Sequence, residues 1–126
     1  MGKAIKLLIV DDDPVLLRMA QERFKQEGFT PIVAQEAAEG LQIAMAQTPD
    51  LIVLDVMMPI INGYNFCRLL KSDAVRKNIP VIFLTSRDTA QDVQFGKESG
   101  ADAYLTKPVN FDLLLQKIYQ LLPRES

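Results

Sequence analysis

The sequence predicts one doubly wound α/β domain on a five-stranded parallel sheet, and three observations predict it. Short apolar runs alternate with stretches whose apolar residues recur at helical spacing, the pattern of βα units sharing a sheet. Three of those runs, Leu7–Val10, Leu51–Leu54 and Val81–Leu84, contain no polar residue, as strands covered on both faces require. The 126 residues leave about 25 for each of five units, enough for compact βα pairs and too few for a second domain.

The two remaining strands are shorter, Ile32–Ala34 and Ala103–Leu105. Helix ends are marked by their usual residues. Asp13 is placed to cap the first helix, Pro14 to open it and Gly28 to close it. The second helix covers about Ala37 to Gln47 and stops before Pro49. A third runs from about Tyr64 to Lys71, and a fourth from about Ala90 to Glu98, closed by Gly100. The last begins after Asn110 and carries Phe111, Leu114, Leu115, Ile118, Leu121 and Leu122 as an apolar stripe.

Charge and composition exclude several functions. Net charge is −2 and no Lys/Arg run exceeds two residues, so direct nucleic-acid binding, which needs a concentrated basic patch, is not expected. Cys67 stands alone, which rules out an internal disulfide and suits a reducing cytoplasm. The apolar run after Lys6 is four residues long and is followed by three aspartates, too short for a signal peptide or a membrane span. A single cytoplasmic domain over residues 1–126, without membrane association, is the expectation.

In an open parallel sheet, function collects beyond the carboxyl ends of the strands. Here the first strand runs into Asp11-Asp12-Asp13, the third into Asp55, the fourth into Thr85-Ser86 and the fifth into Thr106-Lys107-Pro108. Carboxylates at Asp11, Asp12 and Asp55 repel one another in a partly dry crevice, and a hard divalent cation such as Mg²⁺ removes that penalty with oxygen ligands. Lys107 supplies a mobile positive charge and Thr85 a hydroxyl donor, both suited to phosphoryl oxygens. Phosphoryl transfer is mostly positioning and charge neutralisation, so this set marks a phosphoryl acceptor. Asp55, alone at its strand end, keeps an oxygen free for attack. Asp13 reads as a helix cap rather than a ligand.

The segments Leu8-Ile9-Val10-Asp11-Asp12-Asp13-Pro14, Leu54-Asp55-Val56-Met57-Met58-Pro59 with Gly63, Leu84-Thr85-Ser86 and Tyr104-Leu105-Thr106-Lys107-Pro108 resemble the receiver domain of two-component response regulators. The resemblance covers essentially the whole chain, in order. It implies a flavodoxin-like (βα)5 sheet of order 2-1-3-4-5, and a signalling switch rather than a turnover enzyme. It also implies that Asp55 is phosphorylated by a histidine kinase or histidine phosphotransfer protein, and that the domain assists this step and its reversal. Asp11, Asp12 and Asp55 hold Mg²⁺ in this reading, with the Met57 backbone carbonyl completing the set. Thr85 and Lys107 contact the phosphoryl group, and Tyr104 is the aromatic that turns inward when Thr85 moves. The Lys107-Pro108 bond is often cis in such domains. A downstream protein target reads the face of the fourth helix, fifth strand and fifth helix, and a weak homodimer through the last helix is compatible with it. The third acid, Asp13, departs from the family's usual pair, and Met57 and Arg87 occupy positions that tune phosphoryl lifetime.

Three rivals stand beside this reading. A haloacid-dehalogenase-like phosphatase also follows its first strand with paired aspartates and Mg²⁺, but modifies the first of them, here Asp11. A flavodoxin-like cofactor carrier cradles phosphate at the first loop, where three aspartates repel it. An inert receiver binds partners without phosphorylation. No histidine occurs in the chain, so the donor is another protein or a small acyl phosphate. After Asn110 the sequence holds one helix and no output module, leaving a stand-alone regulator or part of a longer one.

Overall fold

The computed structural model describes residues 4–56, 63–86 and 100–122. Five parallel strands form one sheet, β1 (Lys6–Val10), β2 (Thr30–Ala34), β3 (Leu51–Asp55), β4 (Val81–Thr85) and β5 (Ala103–Thr106), in the order β2-β1-β3-β4-β5. Among the described residues four helices accompany them: α1 (Pro14–Gln26), α2 (Ala37–Gln47), α3 (Gly63–Lys71) and α4 (Phe111–Leu121). The helix expected over Ala90 to Glu98 falls outside the described residues, so α4 is the one expected after Asn110. No helix among the described residues is long and apolar enough to cross a membrane.

The sheet order explains the strand composition. β3 and β4 lie inside the sheet, and all five residues of each are buried. Alternate side chains feed two cores. Leu8, Val10, Ile52, Leu54, Val81 and Phe83 meet Ala44, Phe66, Cys67 and Leu70 from α2 and α3. Leu7, Ile9, Leu51, Val53, Ile82 and Leu84 meet Leu17, Phe24, Leu114 and Ile118 from α1 and α4. Each fully buried Leu, Ile or Phe contributes about 1.5–3 kcal/mol of transfer free energy, so these two layers supply the drive to fold. Cys67 belongs to the first core, where burial pushes its thiol pKa up to about 11, as packing rather than reactivity requires.

β2 begins two residues before its apolar run, at Thr30-Pro31. Pro31 is tolerated because β2 is an edge strand: Thr30 N–H donates to Ile5 at 2.8 Å, and alternation turns the next residue's missing donor outward. α1 starts as expected, with Asp13 Oδ1 accepting from the N–H groups of Val15 (3.0 Å) and Leu16 (3.4 Å). It ends before Gly28, whose φ of +88° reverses the chain. α1 and α4 are joined along one flank by the Arg23–Asp112 ion pair and by Tyr119 Oη donating to Glu27 at 3.1 Å. Behind α2, the Arg76 guanidinium donates to the carbonyls of Ala44 and Met45, closing the last turn of that helix.

Gly40 carries the tightest packing of a helix on the sheet. A Cβ there would lie 2.6 Å and 3.1 Å from the two methyls of Val10 and 3.4 Å from Phe66. Val10 is β-branched and fully buried, so it has no empty rotamer to turn into. Gly40→Ala gains about 1 kcal/mol of helix propensity but incurs about 2 kcal/mol of overpacking, a net loss near 1 kcal/mol. Thermal denaturation of this variant should show a midpoint lowered by about 4 °C; a raised midpoint would mean that α2 slides freely on β1.

Candidate functional site

Four strand ends converge. Asp11 follows β1 directly, with its N–H donating to the Ala34 carbonyl at 3.1 Å, so β2 holds it in line with the sheet. Asp55 is the last residue of β3, paired in register with Leu84, and Thr85 is the last of β4, paired with Thr106. Lys107 follows β5; its N–H donates to the Thr85 carbonyl at 2.7 Å, and the Lys107-Pro108 peptide is cis. The sequence places these groups after the strands, whereas Asp55 and Thr85 are inside them. Rigid ladder positions hold them.

Asp11 is fully shielded from solvent and Asp55 is 4% exposed. Asp12 is exposed, and one carboxylate oxygen from each of Asp11, Asp12 and Asp55 lies within 4.8 Å of the others. Lys107 Nζ is 2.8 Å from Asp11 Oδ2 and 3.4 Å from Asp55 Oδ2. The two oxygens of Asp11 differ. Oδ1 accepts the Asp13 N–H at 2.9 Å, while Oδ2 has the lysine beside it at ion-pair distance but no aligned hydrogen-bond donor among the described residues. Burial raises the Asp11 pKa, with the Asp55 charge adding to it and the Lys107 and Asp13 contacts opposing. Burial would pull Lys107 down, but Asp11 and Asp55 outweigh it and hold its pKa above the ordinary value. A buried carboxylate oxygen met, among the described residues, only by the Lys107 ion pair, in an all-oxygen acidic set, fits a hard divalent cation.

Asp13 stays out of this set; its side chain is committed to capping α1, as expected. Thr85 is completely buried, and Tyr104 is half-buried against the Phe83 side of the sheet. The β4–β5 register pairs Phe83 with Tyr104 and Thr85 with Thr106, so Thr85 and Tyr104 share one sheet face. Met57 and Arg87 lie outside the described residues. Sequence reasoning missed the Asp13 N–H on Asp11, although an aspartate often accepts from the backbone two residues on in this way.

A family model for the response regulator receiver domain matches residues 7–119. The chain belongs to this family. It is a receiver domain of a two-component response regulator, a phosphorylation switch in its general function. Protein PilH of Pseudomonas aeruginosa is 36% identical over 117 residues, covering 93% of this chain and 97% of PilH. The alkaline phosphatase synthesis transcriptional regulatory protein SphR of Synechococcus elongatus is 38% identical over 132 residues, covering 98% of this chain and 51% of SphR. The chain thus spans about half the length of SphR. Among solved structures, the chemotaxis protein CheY4 of Vibrio cholerae superimposes with a TM-score of 0.90 at 29% identity, covering 95% of this chain and all of CheY4. The receiver domain therefore carries the flavodoxin-like fold expected from its sequence.

Proposed function

We propose that Asp55 accepts a phosphoryl group from a phosphohistidine of a partner kinase or phosphotransfer protein, or from a small acyl phosphate. The observation that supports this most is Lys107 Nζ lying within reach of both Asp11 and Asp55 at the sheet rim. An Asp55 carboxylate oxygen attacks phosphorus as the new P–O bond forms; with a phosphohistidine the P–N bond breaks and the leaving imidazole nitrogen takes a proton from solvent, and with an acyl phosphate the P–O bond to the acyl group breaks and a carboxylate leaves. Lys107 and the Thr85 hydroxyl neutralise and orient the phosphoryl oxygens. Mg²⁺, when bound, screens the crowded negative charge. Asp11, Asp12 and Asp55 would hold it, and the Met57 carbonyl is the further ligand that the family implies. Attack of water on phosphorus releases inorganic phosphate and restores the carboxylate, so the domain resets itself without being a turnover enzyme.

Incubation with a small acyl phosphate and Mg²⁺, followed by peptide mapping, tests this reading. The modification is expected at Asp55. Modification at Asp11 would restore the phosphatase-like chemistry, and no modification would leave an inert binding module.

Phosphorylation shifts an equilibrium that already exists between two packings. The phosphoryl group draws Thr85 toward it, and Tyr104, on the same sheet face, turns into the space released. A downstream protein reads the altered face around β5 and α4. Thr85→Ala should accept the phosphoryl group at a rate within a few-fold of the unaltered chain, yet lose most of the phosphorylation-dependent gain in partner affinity, about tenfold for a coupling of 1.4 kcal/mol. Calorimetric titration with the cognate target checks it; an unchanged gain would uncouple Thr85 from the output.

A further inference from the structure

We propose that Asp13 is a positioning residue for the cation site, acting through its backbone rather than its charge; this rests on the reading of Asp11 as a cation ligand. Asp13 does two things at once. Its side chain caps α1 by accepting from Val15 and Leu16, and its own N–H donates to Asp11 Oδ1 at 2.9 Å. The cap fixes the backbone of residue 13 at φ −91° and ψ 106°, and that backbone aims the N–H at Asp11. One oxygen of a buried carboxylate is thereby pinned by a donor, and the other, Oδ2, is left turned toward Lys107 with no aligned donor of its own.

The consequence is a preset carboxylate. Asp11 is fully buried, so rotation about its terminal bond is limited by what its oxygens contact. With Oδ1 tied to the first turn of α1, the orientation of Oδ2 is inherited from the helix start. Outer hydrogen-bond partners of this kind govern ligand orientation and affinity at metal sites. Asp13 is exposed and its carboxylate is outside the acidic set, so a direct contact with the cation is not its route.

The two roles of Asp13, charge and cap, separate by substitution. Asn caps a helix as well as Asp does, whereas Ala does not. Calorimetric titration with Mg²⁺ alone, run well below the unfolding temperature, should give Asp13→Ala an affinity weakened roughly tenfold, the lower end for loss of an outer partner. Asp13→Asn should retain the unaltered affinity within about twofold, because the cap survives. In the metal-free proteins, the amide of residue 13 should exchange slowly in the unaltered chain and in Asp13→Asn, and faster in Asp13→Ala. Equal weakening in both variants would assign the effect to charge and overturn the proposal, as would equal affinity in all three proteins. Failure of the unaltered chain to bind Mg²⁺ would instead overturn the reading of the site, and this inference with it.

Discussion

Asp55→Asn is expected to abolish phosphoryl uptake, with no modified species detectable by intact-mass measurement after exposure to acyl phosphate and Mg²⁺. The amide has nearly the shape of the carboxylate, so the 4%-exposed position at the end of β3 is filled equally well. Nucleophilicity is what changes: an amide oxygen carries no full negative charge, and its attack on phosphorus has no stable product. Stability should not fall, because one of the two buried carboxylates that flank Lys107 becomes neutral while the Asp11 ion pair at 2.8 Å remains. A variant that folds with an unchanged or higher midpoint and takes up nothing places the loss in the chemistry. Full uptake in this variant would move the acceptor elsewhere.

Lys107→Ala is expected to have the second largest effect, and on two measurements. Removing a preorganised cation from the oxygens that develop charge should slow acyl-phosphate-driven uptake by about a hundredfold. In Mg²⁺-free buffer at neutral pH the fold should also lose about 2 kcal/mol, below the usual cost of breaking a buried pair because the lysine side chain is itself 26% exposed. The pH dependence follows from the directions of the shifts. Lys107 has a raised pKa in the folded chain, so its stabilisation is complete below its ordinary value of 10.5 and is lost as pH rises through the higher folded one. Asp11 is also raised: protonating it favours the fold, and that stabilisation, complete below 3.8, is lost as pH rises through its folded value. Neutral pH is therefore where Asp11 depends most on the lysine. The gap in melting temperature between Lys107→Ala and the unaltered chain should narrow as the solution is acidified and Asp11 takes up its proton. A gap that stays constant down to the pH at which Asp11 takes up its proton would mean that Lys107 does not stabilise Asp11.

Most of the architecture was legible because each strand is a short apolar run bounded by a helix signal. α2 matches its expected ends, Ala37 and Gln47, and α1 carries the Asp13 cap and the Gly28 reversal. The apolar run marks only Ile32–Ala34 of β2, and the sheet order, which makes β2 an edge, is what lets the strand begin at Thr30-Pro31. β3 and β4 each run one residue past their apolar stretch for another reason. The apolar run stops at Leu54 and Leu84, but ladder pairing continues through Asp55 and Thr85. The convergence of Asp11, Asp55, Thr85 and Lys107 was legible from their shared place at strand ends. What was not legible depends on long-range geometry. Arg76 reaches Met45 across 31 positions, and nothing in its neighbourhood distinguishes it from a solvated loop arginine. The ion pair of Lys71 with Asp102 at 3.6 Å, which ties the end of α3 to the start of β5, is equally silent in the sequence.

The register of the sheet also dictates when competence arises during synthesis. Asp11 and Asp55 leave the ribosome well before Lys107, and the lysine is held only once β5 has joined β4 and its N–H has met the Thr85 carbonyl. A chain in which β5 has not yet paired with β4 therefore presents Asp11 and Asp55 without the lysine held beside them.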